Sequence, residues 1–482
     1  MGRDSRTLIL QYAASAKWRI SAFDIQTAFL RGSRQDGRIL GMEPPKEMRM
    51  AMKLQPWECC ELLKSAYGLV NARLLWYLEL KNALINLGMK VSPFDPRIFI
   101  LPKTNGKGIH GLLGIHVDDG LMAGDSEFHK AIDQLEQKYP FGSKSRNDFV
   151  FTGIHVSQKD DHSIELSQSK YVEDIPPIHI ERNRRQDPNQ VINEEERQGL
   201  RGLVGSLQYA TTNTRPDPAA KVSFIQSKIT TACITDLLEA NRILQEAKNT
   251  KDTKITIKSI PLEDLRFVSF SDASFATRSK SQSQKGCLIL AASKQIGEWQ
   301  ASDVSPLMWY SRKIARVVAS TLASETYALS GAIDLLGWLR LHWMWLCEPS
   351  DLWKRPEEAL RCTAEAYAVL DCKSLFDLLQ KTTIPQCQEY RTMLEALIIK
   401  DRIKEGIIVK WVHSAAQLAD TLTKIMDGTS LRNFLAKGKC IIHDVDEILR
   451  ERADKKARKQ WHDQPLQDED IATEGNVEPT KM

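Results

Sequence analysis

The sequence predicts an α+β protein, and three observations lead to this fold class. Between residues 1 and 171, short apolar segments that end in acidic residues alternate with two amphipathic helical segments. A second block rich in predicted strands begins near residue 262 and contains one long helical segment. The chain has 482 residues, of which 42% are hydrophobic, so two or three domains can each bury a substantial core.

The first candidate site is a predicted β-hairpin with two adjacent acids at its tip. The apolar residues 111–117 lead into Asp118 and Asp119, and a second apolar segment follows. Repulsion between the carboxylates must be offset by a cation, and Mg²⁺ prefers carboxylate oxygen and bridges to substrate phosphates. The hairpin therefore indicates phosphoryl transfer, with a solvated turn as the alternative. Asp24, at the end of a β-prone segment upstream, can supply the ligand that two-metal chemistry takes from a separate strand.

Two amphipathic helices are predicted around this hairpin. Residues 64–77 contain Gly68, which permits close backbone approach, and lead into a helix near residues 74–87. The second helix, near residues 127–139, follows the hairpin directly. Strands that carry acids, with helices packed behind them, complete the first α+β unit.

Changes in composition divide the chain into four regions. Residues 181–196 are polar, contain proline and are dense in charge, which indicates an exposed connection. Periodicity is lost beyond about residue 427. We predict a first domain at residues 1–180, a helical connecting region at 181–262, a second domain at 263–428, and a polar, poorly ordered tail at 429–482.

Four further acids lie on predicted elements of the second domain. Asp272 lies on the first strand of a three-stranded meander, and Glu325 lies in the early turns of the long helix. Asp371 ends a fourth strand, and Asp420 lies on a helix that follows a fifth strand. Each acid taken singly is explained by a helix cap or a surface charge. Together they predict a second site on a mixed five-stranded sheet with helices.

The motifs of the first two regions resemble those of the reverse transcriptase of copia-type retrotransposons. The first matching motifs are Asp24 with Ala28-Phe29-Leu30, Ser65-Ala66-Tyr67-Gly68-Leu69, and Val117-Asp118-Asp119. A further pair follows at Leu203-Val204-Gly205-Ser206-Leu207-Gln208-Tyr209 and Thr214-Arg215-Pro216-Asp217. The chain thus looks like the C-terminal part of a copia-type Pol polyprotein, truncated at its N-terminus.

The second domain resembles the RNase H domain of the same family. Its matching motifs are Ser271-Asp272-Ala273, Ser324-Glu325-Thr326-Tyr327, Leu370-Asp371-Cys372, and Leu418-Ala419-Asp420-Thr421-Leu422-Thr423-Lys424. The resemblance implies a ferredoxin-like reverse-transcriptase palm without fingers, then a helical thumb or connection that contacts the duplex, then an RNase H-like mixed five-stranded sheet with helices.

The resemblance also implies the roles of individual residues. Two Mg²⁺ or Mn²⁺ ions would bind at each active site, one site formed by Asp24, Asp118 and Asp119, the other by Asp272, Glu325, Asp371 and Asp420. Phe29 matches the aromatic residue that excludes a ribose 2′-hydroxyl, with a core phenylalanine as the alternative. Tyr67 and Gly68 would line the nucleotide pocket or the template path.

The implied function is RNA-directed DNA polymerisation together with cleavage of RNA in RNA–DNA hybrids. The implied partners are an RNA template, a DNA primer, an RNA–DNA hybrid and deoxynucleoside triphosphates, and the oligomeric state stays open. Two alternatives remain. One is an RNase H nuclease whose palm is only a scaffold, and the other is a non-catalytic nucleic-acid-binding remnant of a retrotransposon.

The sequence departs from the family pattern in the part that resembles the polymerase. The family implies roughly a hundred residues of fingers, a length that forms its own packing layer, ahead of the first Asp motif. Only 23 residues precede Asp24 here. We therefore expect the triphosphate to lose its cationic clamp, the palm sheet to lack a cover, and processive polymerisation to suffer.

Net charge, cysteine content and apolar stretches indicate which partners and which cellular compartment the protein can have. A formal net charge of +4 permits a polyanionic partner without requiring one. Nine cysteines, with no Cys-x-x-Cys pair and no cluster at zinc spacing, favour free thiols in a reducing compartment. The longest apolar stretch is interrupted by Arg340 and His342, and the N-terminus shows no signal-peptide pattern. We expect an intracellular protein, cytoplasmic or nuclear, with no membrane partner.

Overall fold

The computed structural model describes residues 1–32, 39–104, 106–278, 282–298, 300–385, 387 and 389–442. This part of the chain is a mixed α+β structure, as the sequence predicts. Its helices are α1 (Arg3–Ser15), α2 (Lys46–Ala51), α3 (Ala72–Asn86), α4 (Ser126–Lys138), α5 (Ser169–Asp174), α6 (Glu194–Asn213), α7 (Ala219–Gln226), α8 (Ile234–Asn249), α9 (Thr321–Cys347), α10 (Pro356–Cys362), α11 (Lys373–Gln380), α12 (Tyr390–Ile403) and α13 (Thr429–Lys437).

The strands of the described residues form several sheets. They are β1 (Ile20–Ile25), β2 (Gly41–Met42), β3 (Cys60–Glu61), β4 (Lys90–Val91), β5 (Ile98–Pro102), β6 (Ile109–His116), β7 (Asp119–Gly124), β8 (Phe141–Arg146), β9 (Asp148–Phe151), β10 (Ile154–Gln158), β11 (Ile164–Ser167), β12 (Ile255–Ile257), β13 (Arg266–Arg278), β14 (Gln282–Ala292), β15 (Ser302–Lys313), β16 (Ala366–Leu370), β17 (Ile407–Trp411) and β18 (Lys439–Cys440).

The first sheet has six antiparallel strands in the order β4-β5-β6-β7-β1-β8. Successive residues of a strand point to opposite faces, and both faces are apolar here. Leu113 and Met122 join Phe128 of α4 in one buried cluster, whereas Leu112 and Leu121 belong to the cluster that contains α1. Helix α1 covers the second face, which corrects the expectation that this sheet lacks a cover.

The middle of the chain contributes a small sheet and a helical unit. Strands β9 to β12 form a four-stranded antiparallel sheet in the order β12-β11-β10-β9, so residues near 256 return to pair with residues near 165. Helices α5 to α8 bury their apolar side chains in a cluster of their own, from Val172 to Ala247. The region at 181–262 is therefore mostly helical, with one strand that joins the preceding region.

The third sheet has the order β17-β16-β13-β14-β15-β18. Strands β13, β14 and β15 form an antiparallel meander, β16 runs parallel to β13, and β17 runs parallel to β16. Helix α9 packs on β13 and β14 and buries Leu329, Ile333 and Leu336. Among the described residues, no helix has the length and apolar character needed to cross a lipid bilayer.

Two sequence predictions about the end of the chain are wrong. Residues 429–442 are not a poorly ordered tail, because α13 buries Leu431 and Leu435, and β18 pairs with Ser302 and Asp303 of β15. The third sheet therefore has six strands rather than five. Leu431 and Leu435 lie one helical turn apart, but the amphipathic segment is only nine residues long, so its period is weak in the sequence. The rest of the predicted tail, residues 443–482, lies outside the described residues.

Helix α1 joins the first and third sheets. All of residues 5–15 are buried, and α1 contacts β6 and β7 on one side and β12 and β15 on the other. The Thr7 hydroxyl donates to the carbonyl of Leu307 at 3.1 Å, and the Arg3 guanidinium donates to the carbonyl of Trp309 at 3.0 Å. The apolar cluster around α1 runs from Leu8 to Ile442. The two sheets thus share one core, and the domain boundaries stay a prediction.

A buried histidine makes a second contact between α9 and the first region. His342 is fully buried, its Nε2 atom lies 3.3 Å from the Ser92 hydroxyl, and its ring stacks on Phe94 at 5.0 Å. Burial lowers the pKa of His342 to about 4, so the imidazole is neutral near pH 7. This neutral ring fixes α9 against the loop before β5.

Candidate active sites

The first group of predicted acids lies at one end of the first sheet. Asp24 of β1 is paired in register with Asp119 of β7, and Asp118 lies in the turn between β6 and β7. The backbone N–H of Ile25 donates to the carbonyl of Asp118 at 3.1 Å, which ties the turn to the end of β1. The fold therefore brings the three predicted acids to neighbouring positions.

The pKa values of this group reflect burial and mutual repulsion. Burial, and then the charge of Asp118, raises the pKa of Asp24. Burial, and then the charges of Asp118 and Asp24, raises the pKa of Asp119 to about 6. Among the described residues, however, Asp24, Asp118 and Asp119 are too far apart to bring one oxygen each within 4.8 Å of the other two. The first group is adjacent but not converged on one point.

The turn that carries Asp118 has an unusual backbone. Val117 has φ = 66°, in the left-handed region that β-branched residues rarely adopt and that is strained for them. The indole N–H of the buried Trp76 in α3 donates to the carbonyl of Val117 at 2.9 Å. Trp76 thereby holds the turn in place, a role that sequence reasoning missed. The sequence shows only that Trp76 is an apolar residue on a predicted helix.

The three predicted substrate-binding residues lie on the segments between β1 and α3. Phe29 is half-buried on a short 3-10 helix (Ala28–Arg31), and its ring meets that of Tyr67 edge to face at 5.1 Å. Tyr67 is 60% exposed. Gly68 has φ = 90°, and an added Cβ would meet no atom within 4 Å. Its left-handed conformation by itself accounts for a glycine at this position, and close approach of a substrate to Gly68 stays a prediction. Their binding roles stay a prediction.

The second group of acids converges. Asp272 lies in β13, Asp371 directly follows β16, and Asp420 begins a three-residue 3-10 helix (Asp420–Leu422). Strands β13 and β16 are parallel neighbours with Phe270 opposite Val369, so Asp272, in the middle of β13, lies beside Asp371. One carboxylate oxygen from each of the three lies within 4.8 Å of the others. The predicted helix at Asp420 is corrected to a short 3-10 turn, which places the carboxylate next to the sheet.

A glycine allows this turn to approach the sheet. Gly286 of β14 is the register partner of Asp272. A Cβ at Gly286 would lie 2.7 Å from the Cβ of Leu422 and 2.8 Å from the Cγ2 of Thr423, which is closer than packed atoms come. Any larger residue would push the turn away, and Asp420 with it. Sequence reasoning missed Gly286 because its partner lies 136 positions along the chain.

The fourth predicted acid, Glu325, is buried beside the three aspartates. It lies in the second turn of α9, whose first turn is capped by the Ser320 side chain. Burial, and then the charges of Asp272 and Asp371, raises the pKa of Glu325 well above its ordinary value. Burial also raises the pKa of Asp272 to about 7, although the charge of Lys424 opposes the shift. Glu325 is near the aspartates but outside the set whose oxygens approach within 4.8 Å.

Two neighbouring residues, Thr423 and Lys424, contact the aspartates. The hydroxyl of the fully buried Thr423 donates to Oδ2 of Asp272. The Lys424 ammonium donates to Oδ1 of Asp420 at 2.6 Å and lies 3.8 Å from Oδ2 of Asp272. Both residues belong to a motif that the sequence analysis quoted, but their roles were not assigned. A converged group of carboxylates with one cation beside it has the donor set that a hard divalent cation such as Mg²⁺ prefers, so these residues fit a metal site.

Comparison with known proteins gives one matching family model and several similar polyproteins. Residues 2–179 match the family model described as reverse transcriptase (RNA-dependent DNA polymerase). The chain is 26% identical over 455 residues to the retrovirus-related Pol polyprotein from transposon RE1 of Arabidopsis thaliana, and 25% identical over 455 residues to that from transposon RE2 of the same plant. Each alignment covers 89% of this chain and 28% of the relative, so the chain spans less than a third of these relatives.

Solved structures give a further comparison. The foamy viral protease-reverse transcriptase in complex with RNA/DNA hybrid covers 85% of this chain, and the alignment covers 46% of that chain. The TM-score is 0.48 and the sequence identity is 12%. The same viral protein in complex with dsDNA gives a TM-score of 0.48 at 13% identity, with 82% of this chain and 68% of that chain covered.

Proposed function

From the premise that this chain is related to copia-type retrotransposon Pol polyproteins over most of its length, we propose that it is a reverse transcriptase and RNase H fragment. The leading activity in this proposal is divalent-metal-dependent cleavage of the RNA strand of an RNA–DNA hybrid. The observation that carries it is the convergence of Asp272, Asp371 and Asp420 within 4.8 Å, beside the buried Glu325.

Strand order supports the finer assignment of the two sheets. In the first sheet, β8-β1-β7-β6 with α3 after β1 and α4 after β7 has the order of a ferredoxin-like βαββαβ unit, which supports a palm. In the third sheet, an antiparallel meander followed by two parallel strands, with α9 packed on it, supports an RNase H-like domain. The helical unit α5–α8 would then be the connection or thumb.

In the proposed nuclease site, Asp272, Asp371, Asp420 and Glu325 would hold the divalent ions. When bound, two such ions supply an activated water and stabilise the leaving oxygen of a phosphodiester. Thr423 fixes the orientation of the Asp272 carboxylate through its hydroxyl, and Gly286 lets the turn bring Asp420 to the same point. Contacts with the RNA 2′-hydroxyl would distinguish the RNA strand from DNA.

A cleavage assay on defined duplexes tests this proposal. With Mg²⁺ or Mn²⁺, the full chain is expected to cut an end-labelled RNA strand paired to DNA, and EDTA is expected to abolish the cleavage because the carboxylates then have no ion to hold. The products are resolved on a denaturing gel. A DNA duplex of the same sequence is the control and should stay intact. Cleavage that persists in EDTA, or that is equal on the DNA duplex, would contradict the proposal.

The polymerase part of the proposal rests on the first group of acids. Asp24, Asp118 and Asp119 would hold the ions that align a primer 3′-hydroxyl with a deoxynucleoside triphosphate, while Phe29, Tyr67 and Gly68 would lie along the nucleotide or template path. Support comes from the neighbouring positions of the three acids and from the raised pKa values of Asp24 and Asp119. Because these carboxylates do not converge, we expect weak extension.

Primer extension on an RNA template measures this second activity. The Asp119→Asn variant is expected to reduce single-nucleotide incorporation by about a hundredfold, since it removes one charge from the ion-holding group. Asp133→Asn is the matched control, because Asp133 is an exposed acid on α4 whose contact with Lys144 at 3.7 Å contributes little. Equal incorporation by wild type and Asp119→Asn would contradict the assignment of these acids.

The two assays also separate the alternatives. RNA cleavage without primer extension by the wild-type chain would favour an RNase H nuclease with a scaffold palm. Binding of the hybrid, measured by fluorescence anisotropy, with neither reaction would favour a non-catalytic remnant. The converged aspartates favour the first of these over the second, because three carboxylates lie together beside the single charge of Lys424, and such a group is costly unless a further cation offsets it.

A further inference from the structure

The ammonium of Lys424 lies inside the group of acids that the proposed function assigns to divalent metal. It is 2.6 Å from Oδ1 of Asp420 and 3.8 Å from Oδ2 of Asp272. In the described residues, the ion pairs recorded for these two aspartates are both with Lys424. The Lys424 ammonium therefore has the position of a counter-ion, which partly neutralises these carboxylates in the absence of metal.

A cation at this position lowers the electrostatic energy of the metal-free site. The Asp272 side chain is 3% exposed and that of Asp420 is 19% exposed, so water screens their repulsion from Asp371 poorly. A positive charge between them offsets this repulsion and stabilises the metal-free fold. The same positive charge opposes the arrival of a second cation at the same oxygens.

The two residues of the turn differ in how firmly they are held. Thr423 is fully buried, and its hydroxyl donates to Asp272. The Lys424 side chain is 44% exposed and has a long flexible stem, so its ammonium can swing into water without disturbing the turn. Asp272 therefore keeps its orientation from Thr423 when Lys424 leaves.

We propose that Lys424 is an internal counter-ion of the Asp272–Asp420 pair, and that a divalent cation must displace its ammonium to bind. This inference rests on the proposed function, in which the same aspartates are metal ligands. It assigns to Lys424 the tuning of metal affinity: the ammonium stabilises the metal-free protein and weakens metal binding.

Substitution of Lys424 separates its charge from its packing. Lys424→Met keeps most of the stem and removes the charge, so metal is expected to bind roughly tenfold more tightly, while the metal-free protein melts at a lower temperature. Lys424→Arg keeps the charge and is expected to bind metal with an affinity close to that of wild type. Added Mn²⁺ should raise the melting temperature of Lys424→Met by more than it raises that of wild type.

The experiment measures Mn²⁺ binding by calorimetry and melting temperature by fluorescence on the full chain. All variants carry Asp119→Asn, so that the first group of acids contributes less to the binding signal. Lys404→Met is the matched control, because Lys404 makes an exposed ion pair with Asp401 at 2.8 Å outside the site. It should leave Mn²⁺ affinity unchanged.

The outcomes distinguish the inference from the function on which it rests. Tighter binding by Lys424→Met, but not by Lys424→Arg or Lys404→Met, supports the counter-ion. Equal binding by wild type and Lys424→Met, or equally tighter binding by Lys424→Arg, overturns the counter-ion and leaves the metal site standing. Absence of Mn²⁺ binding in every variant overturns both.

Discussion

The Asp272→Asn variant is expected to cleave RNA in an RNA–DNA hybrid about 10²–10³-fold more slowly than wild type while it remains folded. Asp272 is the most buried of the three converged aspartates, and the substitution removes a negative charge from the centre of the group. The remaining carboxylates would hold divalent metal less tightly, because carboxylate charge sets much of the affinity for a hard cation.

The fold should tolerate this substitution for a specific reason. Burial raises the pKa of Asp272 to about 7, so in the metal-free protein near neutral pH a large share of the molecules already carry the uncharged carboxyl. Asparagine has nearly the same shape and keeps an oxygen that accepts a hydrogen bond from the Thr423 hydroxyl. The loss of activity would then report on metal chemistry and not on unfolding.

The measurement is the initial rate of cleavage at saturating Mg²⁺, with the melting temperature recorded on the same sample. Asp303→Asn is the matched control, since Asp303 is an exposed acid on β15 of the same sheet. Its rate should equal that of wild type. An Asp272→Asn variant that retains the wild-type rate would remove the basis for a nuclease at this site.

The Arg215→Ala variant is expected to lower the free energy of unfolding by about 3–5 kcal/mol. Arg215 is 1% exposed and forms two hydrogen bonds with Asp217, at 2.9 and 2.8 Å. It also donates to the carbonyl of Ala247 at the end of α8 and to the Thr250 hydroxyl. Asp217 in turn accepts a hydrogen bond from Arg432 of α13 at 3.3 Å.

The physical reason is the charge left behind. Without Arg215, the Asp217 carboxylate stays buried with only the longer contact to Arg432, and an uncompensated buried charge is costly. Urea unfolding of the full chain measures the change. Arg355→Ala is the control, because its ion pair with Glu358 at 2.6 Å is exposed and contributes about 0–1 kcal/mol. If Arg215→Ala unfolds at the same urea concentration as Arg355→Ala, the buried pair has no such role.

This contact network explains why a Thr-Arg-Pro-Asp motif stands after the first domain. The side chains of Arg215 and Asp217 face the protein interior, where they connect α8 to α13. The sequence predicts that this region is structural and that it contacts the duplex. The two charged residues of the motif serve the structural role, because both are almost completely removed from solvent. Contact of the region with the duplex stays a prediction.

The fold class and the relationship to copia-type Pol polyproteins followed from the sequence, and both are confirmed. Helices α3 and α4 lie within two residues of their predicted bounds because each has an apolar period of a helix. For α4, the sequence also contains the residue that caps the start of the helix, since the Asp125 side chain accepts hydrogen bonds from the N–H groups of Glu127 and Phe128.

The candidate sites were predictable only in part. The acids stand in short motifs, so their positions could be read locally, and the structure brings the members of each group close to one another. The roles of Trp76, Gly286, Thr423 and Lys424 depend on partners that are distant in sequence, or on the path of a turn. A periodic sequence pattern does not contain these contacts. Only the folded structure shows which atoms each of the four residues contacts.

The buried position of α1 means that neither half of the molecule is complete without the other. If the chain were cut between the first and third sheets, the piece that kept α1 would expose to water the side of this helix that now contacts β12 and β15. The other piece would lose the hydrogen-bond donors that Arg3 and Thr7 supply to β15. The thirteen residues of α1 pack between the two sheets and hold them together. Separately expressed halves would therefore tend to aggregate, whereas the intact polypeptide would melt as a unit.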